Sequence, residues 1–432
     1  MLDGLRVLDL TDARGYLCGR TLADLGADVV KVEPPGGAVG RWEPPLADDV
    51  PGVDRSLAWL AGNSNKRAIV CDLAAEAGRD IFTSLCAVAD VVVECGPPGE
   101  LQARGLAYAT LRTLNPGLIY TTLTPFGCDG PLAEAPAGDL EVTASSGSLW
   151  LAGEPGATPV RSTLPQSAQW AGMYAAMGTL MAVLARDANG GEGQHVDVSA
   201  QASMVTAISH APIFWDLLGE EQHRSGPFLA GRSVTGAQFR NIWPCRDGYV
   251  TFALYGGPAG QATSRELVAW IDEASQPGGA PPALKAVDWE AFDPTRATQA
   301  EVDVLEADIA PFIRGLTKDE FFARFVERNM LGYKVSTVAD ILTDPQLEAR
   351  NFWHEVQSPW ELERPTSGSR VPCADPASAR PTSGRPSTPS QHHTLRYPGS
   401  FGLFDGRRPV LRRLAPAVGE HTCDVLREWL GL

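Results

Sequence analysis

Asp139 and Glu141 are two carboxylates standing one residue apart, the kind of pair that can move protons at a reacting centre. The segment around them reads as a strand or a loop, and there a carboxylate held by hydrogen bonds accounts for each better than a catalytic one. His195 heads a strand after the glycine-rich turn Asn189-Gly190-Gly191, and His210 lies in an apolar helical stretch; for both, a structural or surface role is the better account. Cys18, Cys71, Cys86, Cys95, Cys128, Cys245, Cys373 and Cys423 are scattered, without a CxxC and without a neighbouring histidine pair. That spacing points to neither a zinc site nor a disulfide framework, so the expectation is no metal and the reduced thiols of a cytoplasmic protein. Loops remain as the main candidates, and the elements around them say which ones.

Residues 5–10 alternate as a strand, 21–25 follow as a helix ended by Gly26, and 29–32 form a second strand. The order recurs with strands at 68–71, 90–93, 118–122 and 195–199, and helices at 76–87, 108–114 and 168–186, the last capped by Ser167. Strands alternating with helical crossovers predict an α/β fold on a parallel sheet. Such sheets bind ligands beyond the carboxyl ends of their strands, which singles out 34–37, 71–74 and 95–99 by position, with plain turns as the alternative. From residue 240 the texture changes: strands flank the turn Cys245-Arg246-Asp247-Gly248, and helices follow at 264–274, 299–315 and 318–329, as in a smaller α+β domain. Residues 364–390 are rich in Pro, Ser, Arg and Gly and repeat Arg-Pro-Thr-Ser-Gly from Arg364 and from Arg380, which reads as an exposed insertion.

The 432 residues carry 36 Lys plus Arg against 52 Asp plus Glu, a net charge of −16 that argues against a nucleic-acid partner. Local amides and a few cations still permit a phosphorylated small molecule. With 44% hydrophobic and 20% charged residues, the composition excludes wholesale disorder. No basic and apolar leader pattern stands at Met1, and the longest apolar stretch, 171–185, falls short of the roughly 20 residues that span a bilayer, so no membrane partner is expected.

Eight strings in order carry a family signal. They include Leu25-Gly26-Ala27-Asp28-Val29-Val30-Lys31-Val32-Glu33-Pro34, Asn63-Ser64-Asn65-Lys66-Arg67, Ala89-Asp90-Val91-Val92-Val93-Glu94, Asn115-Pro116-Gly117-Leu118, Gly138-Asp139-Leu140, Gly190-Gly191-Glu192-Gly193-Gln194-His195-Val196-Asp197, Asp344-Pro345-Gln346-Leu347 and Gly419-Glu420-His421-Thr422. Together they resemble the class III CoA-transferase (CaiB/BaiF) family. The resemblance implies a Rossmann-like large domain at 1–215, a linker and small α+β domain at 216–345, a segment at 346–432 that returns to the large domain, and an interlocked dimer. It also implies coenzyme A or an acyl-CoA as ligand, contacted at or near Ala13, Arg14, Gly15, Pro34, Cys71, Asp72, Leu73, Ala74, Cys95, Gly96, Pro97, Ala103 and Asp139. Arg41, Lys66 and Arg67 are either phosphate partners or loop-holding ion pairs.

A transferase of that family attacks an acyl-CoA thioester with an aspartate, forming a mixed anhydride that CoA thiolate and the acceptor acid open in turn. The aspartate stands about one helical turn before an Ala-Gly-Met-Tyr-Ala string, here Ala171-Gly172-Met173-Tyr174-Ala175, and counting back three residues reaches Ala168. The family's racemases use a histidine and the same aspartate, and Gly138 and Ala168 stand in those places, so no catalytic residue is assigned beyond Asp139 and Glu141 as weak candidates. The favoured expectation is a CoA-transferase subunit for acyl-CoA and an organic acid, lacking its nucleophile, active beside a related subunit and inactive in transfer as a homodimer. An acyl-CoA lyase, hydrolase or isomerase is one alternative, and a non-enzymatic acyl-CoA binding protein is another. Trp150, Trp170 and Trp215 are explained equally by an aromatic-lined acyl pocket and by core packing.

Overall fold

Short apolar runs alternate with helices as far as Ser199, and the computed structural model, which describes residues 1–229, 233–275, 278–357 and 394–432, folds the runs into one six-stranded parallel sheet. The elements that matter are β1 (Arg6–Asp9), α1 (Tyr16–Asp24), β2 (Asp28–Glu33), β3 (Arg67–Val70), α2 (Glu76–Val88), β4 (Val91–Glu94), α3 (Tyr108–Leu114), β5 (Ile119–Thr124), α4 (Asp139–Ser145), α5 (Ser167–Ala188), β6 (His195–Ser199), α6 (Ala200–Ala207) and α7 (Thr422–Leu430). Strand order is β3-β2-β1-β4-β5-β6, so the chain reverses its direction of growth between β1 and β4 and leaves a crevice at their carboxyl ends.

Both faces of the sheet are covered, which is why its strands are apolar without a solvent side. Val7, Val29, Val91 and Val93 point to the face packed by Cys18, Leu22, Ala171 and Ala175 from α1 and α5. Their neighbours Leu8, Val30 and Val92 point the other way, to Phe82, Leu85, Leu111, Val425 and Trp429 from α2, α3 and α7.

Three strands end in buried carboxylates, and each finds a different partner. Asp9 closes β1: Lys31 Nζ donates to its Oδ1 at 3.0 Å and Lys66 Nζ to its Oδ2 at 2.7 Å, while Thr11 donates from its amide and hydroxyl. Burial by itself would raise Asp9, but the two ammonium groups and these bonds outweigh it and hold the carboxyl well below the usual carboxylate range. Glu33 closes β2 and is gripped by Arg41, whose Nε and Nη2 each donate at 2.7 Å. Glu94 closes β4 and accepts from the Gly96 amide at 2.8 Å, and among the described residues no ammonium or guanidinium donates to it. Burial dominates there and pushes it up to about 7.

Residues 1–148, 162–209 and 345–432 form one compact unit, and 149–161 with 210–344 form a second. The stretch expected at 1–215 is therefore interrupted: 149–161 leave the large unit, and the chain leaves it again after Ser209 and returns at Pro345. In the second unit Ile242–Cys245, Gly248–Thr251 and Tyr333–Lys334 make an antiparallel sheet. Gly257–Ala274, Gln299–Gly315 and Lys318–Glu327 supply its main helices, with Trp243, Phe252, Leu267, Phe321 and Phe325 buried in its core. α1 begins five residues before its expected start, because the Asp12 carbonyl already accepts from Gly15 and Tyr16. The insertion at 364–390, with Cys373, lies outside the described residues. No described helix is long and apolar enough to cross a membrane.

Two outcomes follow from the strand-end charges. A Cβ added at Gly19, inside α1, would sit 2.1 Å from Asp9 Oδ2 and 3.0 Å from Lys66 Nζ. Gly→Ala in a helix ordinarily gains up to about 1 kcal/mol. Here Gly19→Ala should instead destabilise by about 3 kcal/mol in urea unfolding, and a neutral or stabilised variant would contradict the packing described. Glu94 has a folded pKa above its unfolded one, so its contribution is present below the unfolded value and is lost as pH rises through about 7. Glu94→Gln should therefore exceed the wild type in stability at pH 8 by roughly 1–3 kcal/mol and match it near pH 4; an equal difference at both pH values would contradict this.

Candidate active site

The first turn of any α-helix leaves amides without partners inside the helix, and in α5 these are met from another element. Asp139 Oδ1 accepts from the Gln166 amide, the Ser167 amide and the Ser167 hydroxyl, each at 2.8 Å. Asp139 is the first residue of α4, so the expectation of a strand or loop around it is corrected: helix formation at 139–145 aims this carboxylate at the head of α5. Ser167 is likewise not the cap but the first helical residue, and its hydroxyl donates where a cap would accept. Glu141 is exposed and turns back on its own helix, its Oε2 accepting from Gly138 at 2.9 Å. Hydrogen bonds from its own amide and from Gly138 hold it below the ordinary glutamate value.

A cavity of about 170 Å³ opens beside this junction. Ala13 and Arg14 reach it from the loop after β1, Leu123 from β5, Asp139 from α4, Ala168 from α5 and Ala200 from α6. Its wall is mostly small and apolar, and Arg14 and Asp139 are its ionisable members. The cavity can hold a small acyl group against one guanidinium and one helix-capping carboxylate.

At the crevice between β1 and β4, two loops are tied together. Arg14 Nε donates to both Asp12 oxygens at 3.0 Å and Nη2 to Oδ2 at 2.6 Å, while the Asp12 amide lies 3.0 Å from Cys95 Sγ. Burial, and then the adjacent Asp12 carboxylate, push the Cys95 thiol up and disfavour its thiolate. Of the positions expected to contact CoA, Ala13, Arg14 and Asp139 share the cavity, with Gly15 beside them in sequence, and Cys95 joins through Asp12, while the Gly96 amide donates to Glu94. The others stand farther along the same sheet edge. Pro34 follows β2, where its carbonyl accepts from Gly37; Cys71, Asp72, Leu73 and Ala74 follow β3, with Asp72 Oδ1 accepting from Ala74 at 3.0 Å. Pro97 precedes the short helix Glu100–Ala103. From β3 to β5 is four strand spacings, roughly 19 Å, so these positions are spread along one edge of the sheet.

Lys66 and Arg41 are buried at 0% exposure, in the Asp9 network and against Glu33 and Asp54 respectively, and Arg67 pairs with Asp28 and Glu428. These are loop-holding ion pairs, and the phosphate-partner alternative for them is set aside. His195 Nε2 lies 2.9 Å from Thr122 Oγ1 and its ring stacks on Tyr108, a structural setting, while His210 starts an exposed helix of the second unit. Trp150, Trp170 and Trp215 are 41–53% exposed, which corrects the core account, and none lines the cavity. Asp12, Glu94, Leu123 and Ala200 were missed; the first two stand at strand ends, where the rule that singled out 34–37 would have found them.

Across residues 2–422 the chain matches the model of CoA-transferase family III. A subunit of succinyl-CoA:(R)-benzylsuccinate CoA-transferase, BbsE of Thauera aromatica, is 33% identical over 98% of this chain and 93% of its own length. Succinyl-CoA:mesaconate CoA-transferase of Haloarcula marismortui is 30% identical over 83% of this chain and 86% of its own. Among solved structures, a CaiB/BaiF family protein from Brucella suis is similar with a TM-score of 0.75 and 25% identity, covering 99% of both chains. The six-stranded sheet with its crevice, and a match that spans nearly every residue, make this chain a member of CoA-transferase family III.

Proposed function

We propose that this chain binds an acyl-CoA thioester as one subunit of a CoA-transferase and that a related chain supplies the attacking carboxylate. Ala168 carries the reading. It stands on the first turn of α5 and on the cavity wall, where the family resemblance puts the attacking aspartate, and a methyl group neither attacks a thioester nor holds a proton. The carboxylate beside it, Asp139, is engaged with three donors at the head of α5. The relative from Thauera aromatica, named as a subunit, supports a transferase built from more than one chain.

On this reading the pantetheine arm and phosphates lie along the strand-end track from Cys71 to Gly96, and Arg14 faces the thioester end or the acceptor's carboxylate. The sibling's carboxylate attacks the acyl carbon and expels CoA thiolate; the thiolate opens the resulting anhydride at the sibling's own carbonyl, releasing the donor acid and leaving a sibling–CoA thioester; the acceptor carboxylate attacks that thioester and expels thiolate again, and the thiolate takes the acceptor acyl group from the second anhydride, freeing the sibling's carboxylate. The role of this chain is to hold the thioester in a dry, small-walled cavity. A second reading, an acyl-CoA lyase, hydrolase or isomerase run by Asp139, is favoured by one observation: all three bonds to Asp139 fall on Oδ1, leaving Oδ2 as a second oxygen on a residue of the cavity wall.

Calorimetry with the purified chain should detect binding of CoA or succinyl-CoA, and Arg14→Ala should weaken it by about tenfold; no binding at millimolar ligand would remove both readings. The purified chain alone should show no CoA transfer from succinyl-CoA to free carboxylates, and a related chain carrying the aspartate should bring activity. Turnover by this chain alone, lost in Asp139→Asn, would favour the second reading. Binding without turnover under either condition would mark an acyl-CoA binding protein.

A further inference from the structure

Of the buried carboxylates that close β1, β2 and β4, Asp9 holds two lysines and Glu33 an arginine, whereas Glu94 receives the Gly96 amide and, among the described residues, no ammonium or guanidinium. It is 9% exposed and stands at the crevice between β1 and β4. The groups that face it do not supply the missing cation. Arg14 attracts it from the loop after β1 but is tied to Asp12. Glu100, on the short helix after Pro97, adds a like charge and is itself paired with Arg104. Tyr120 on β5 and Cys128 beyond β5 face it as neutral groups, both pushed up by burial, and Asp197 on β6 accepts from the Cys128 amide.

The geometry accommodates Glu94 with or without a proton. Thr122 stands opposite it on β5 and turns its hydroxyl to the carboxylate, and the same Oγ1 lies 2.9 Å from Nε2 of His195, which is exposed at the start of β6. A hydroxyl carries one proton and two lone pairs. With Glu94 ionised, Thr122 donates to it and can accept from His195; with Glu94 protonated, the carboxyl can donate to Thr122 and Thr122 to His195. The row is satisfied in both states, so a change of charge on the buried carboxyl strands no polar group.

We propose that Glu94 is a proton-accepting group of the CoA site: when an anionic group of the ligand takes the Gly96 amide, Glu94 gives that amide up and takes a proton from solvent, so that the chain binds CoA together with one proton. The inference rests on the reading that CoA lies along these strand-end loops. A phosphate oxygen seeks just such a backbone amide, and two anions competing for one N–H in a buried setting are relieved when one is neutralised. Burial already holds the carboxyl up at about 7, so at pH 8 it is ionised in the free chain and an arriving anion raises it further. Protonation tightens the ligand by the same factor, since the coupling is reciprocal.

Titration calorimetry of the full-length chain with CoA at pH 8, in buffers of low and high ionisation enthalpy, counts the protons taken up. The wild type should take up close to one proton more per CoA than Glu94→Gln, a subtraction that removes protons exchanged by CoA itself. Relative to that variant, the wild-type dissociation constant should rise about eightfold from pH 7.5 to pH 8.5. In case Glu94→Gln fails to fold, infrared difference spectra of the unsubstituted chain decide: CoA added at pH 8 should bring up the carbonyl band of a protonated carboxylic acid, and the band should shift when the glutamates carry carbon-13. CoA bound with equal proton exchange in the two chains, or without that band, would overturn this inference and leave the proposed function standing. No binding at millimolar CoA would overturn both.

Discussion

Asp9 is the group on which the arrangement of this chain turns. It sits fully buried at the end of β1, next to the point where the sheet reverses, and it is shared by two buried lysines. A charge there is tolerable only with partners, since removing one partner of a buried pair costs about 3–5 kcal/mol. The demand draws Lys31 across from β2 and Lys66 up from the turn after Asn63, whose side chain accepts from the same ammonium. It also leaves α1 no room for a side chain at Gly19. Two ammonium groups face one carboxylate, and burial pushes Lys66 below its ordinary value while Asp9 opposes that shift. With β1's end, α1 and the 63–66 turn locked together, the intervening loop has one course. That course places Asp12 against Cys95 and Arg14 on the cavity wall.

The same economy explains how an acidic chain can still serve an anionic ligand. Arg41, Lys66 and Arg67 are spent inside, on Glu33, Asp54, Asp9, Asp28 and Glu428. What remains along the carboxyl edge is a series of loop amides with Arg14, itself paired with Asp12 but partly exposed, and such local donors decide the binding of a phosphate or carboxylate more than net charge does. Glu94 is the exception among the strand-end carboxylates. Its hydrogen bond from Gly96 comes from an amide, not from a cation, and burial pushes it up to about 7.

The sheet was legible because its information is local. Val91-Val92-Val93 and Val29-Val30 are apolar on both faces, each with a helical pattern after it, and a parallel sheet follows from that alternation alone. The strand-end loop with Cys95 and Gly96 was singled out for the same reason, whereas Ala13 and Arg14 came only from the family resemblance. The cap on α5 was not. Its acceptor, Asp139, lies 27 residues before Gln166, and the short helix that carries it looks like a loop when read by itself. Arg41 and Lys66 were ambiguous because a basic residue in a Gly- and Asn-rich turn looks alike whether it faces a ligand or the core; only burial at 0% decides. The departure of 149–161 from the large unit has no local signal, since that stretch is defined by what it packs against. Trp170 was read as pocket or core, and its exposure of 41% sets the core aside; the periodicity of α5 shows an apolar helix without saying which side is covered.

The central claim is that the thioester held by this chain is attacked by a carboxylate that the chain does not own. The most direct measurement is to incubate the pure protein with isotopically labelled succinyl-CoA, trap acylated carboxylates with hydroxylamine, and map the product by mass spectrometry. The account predicts no hydroxamate on this chain, and a hydroxamate on the related chain when both are present. A hydroxamate at Asp139, Glu141 or any other carboxylate of the isolated chain would contradict it.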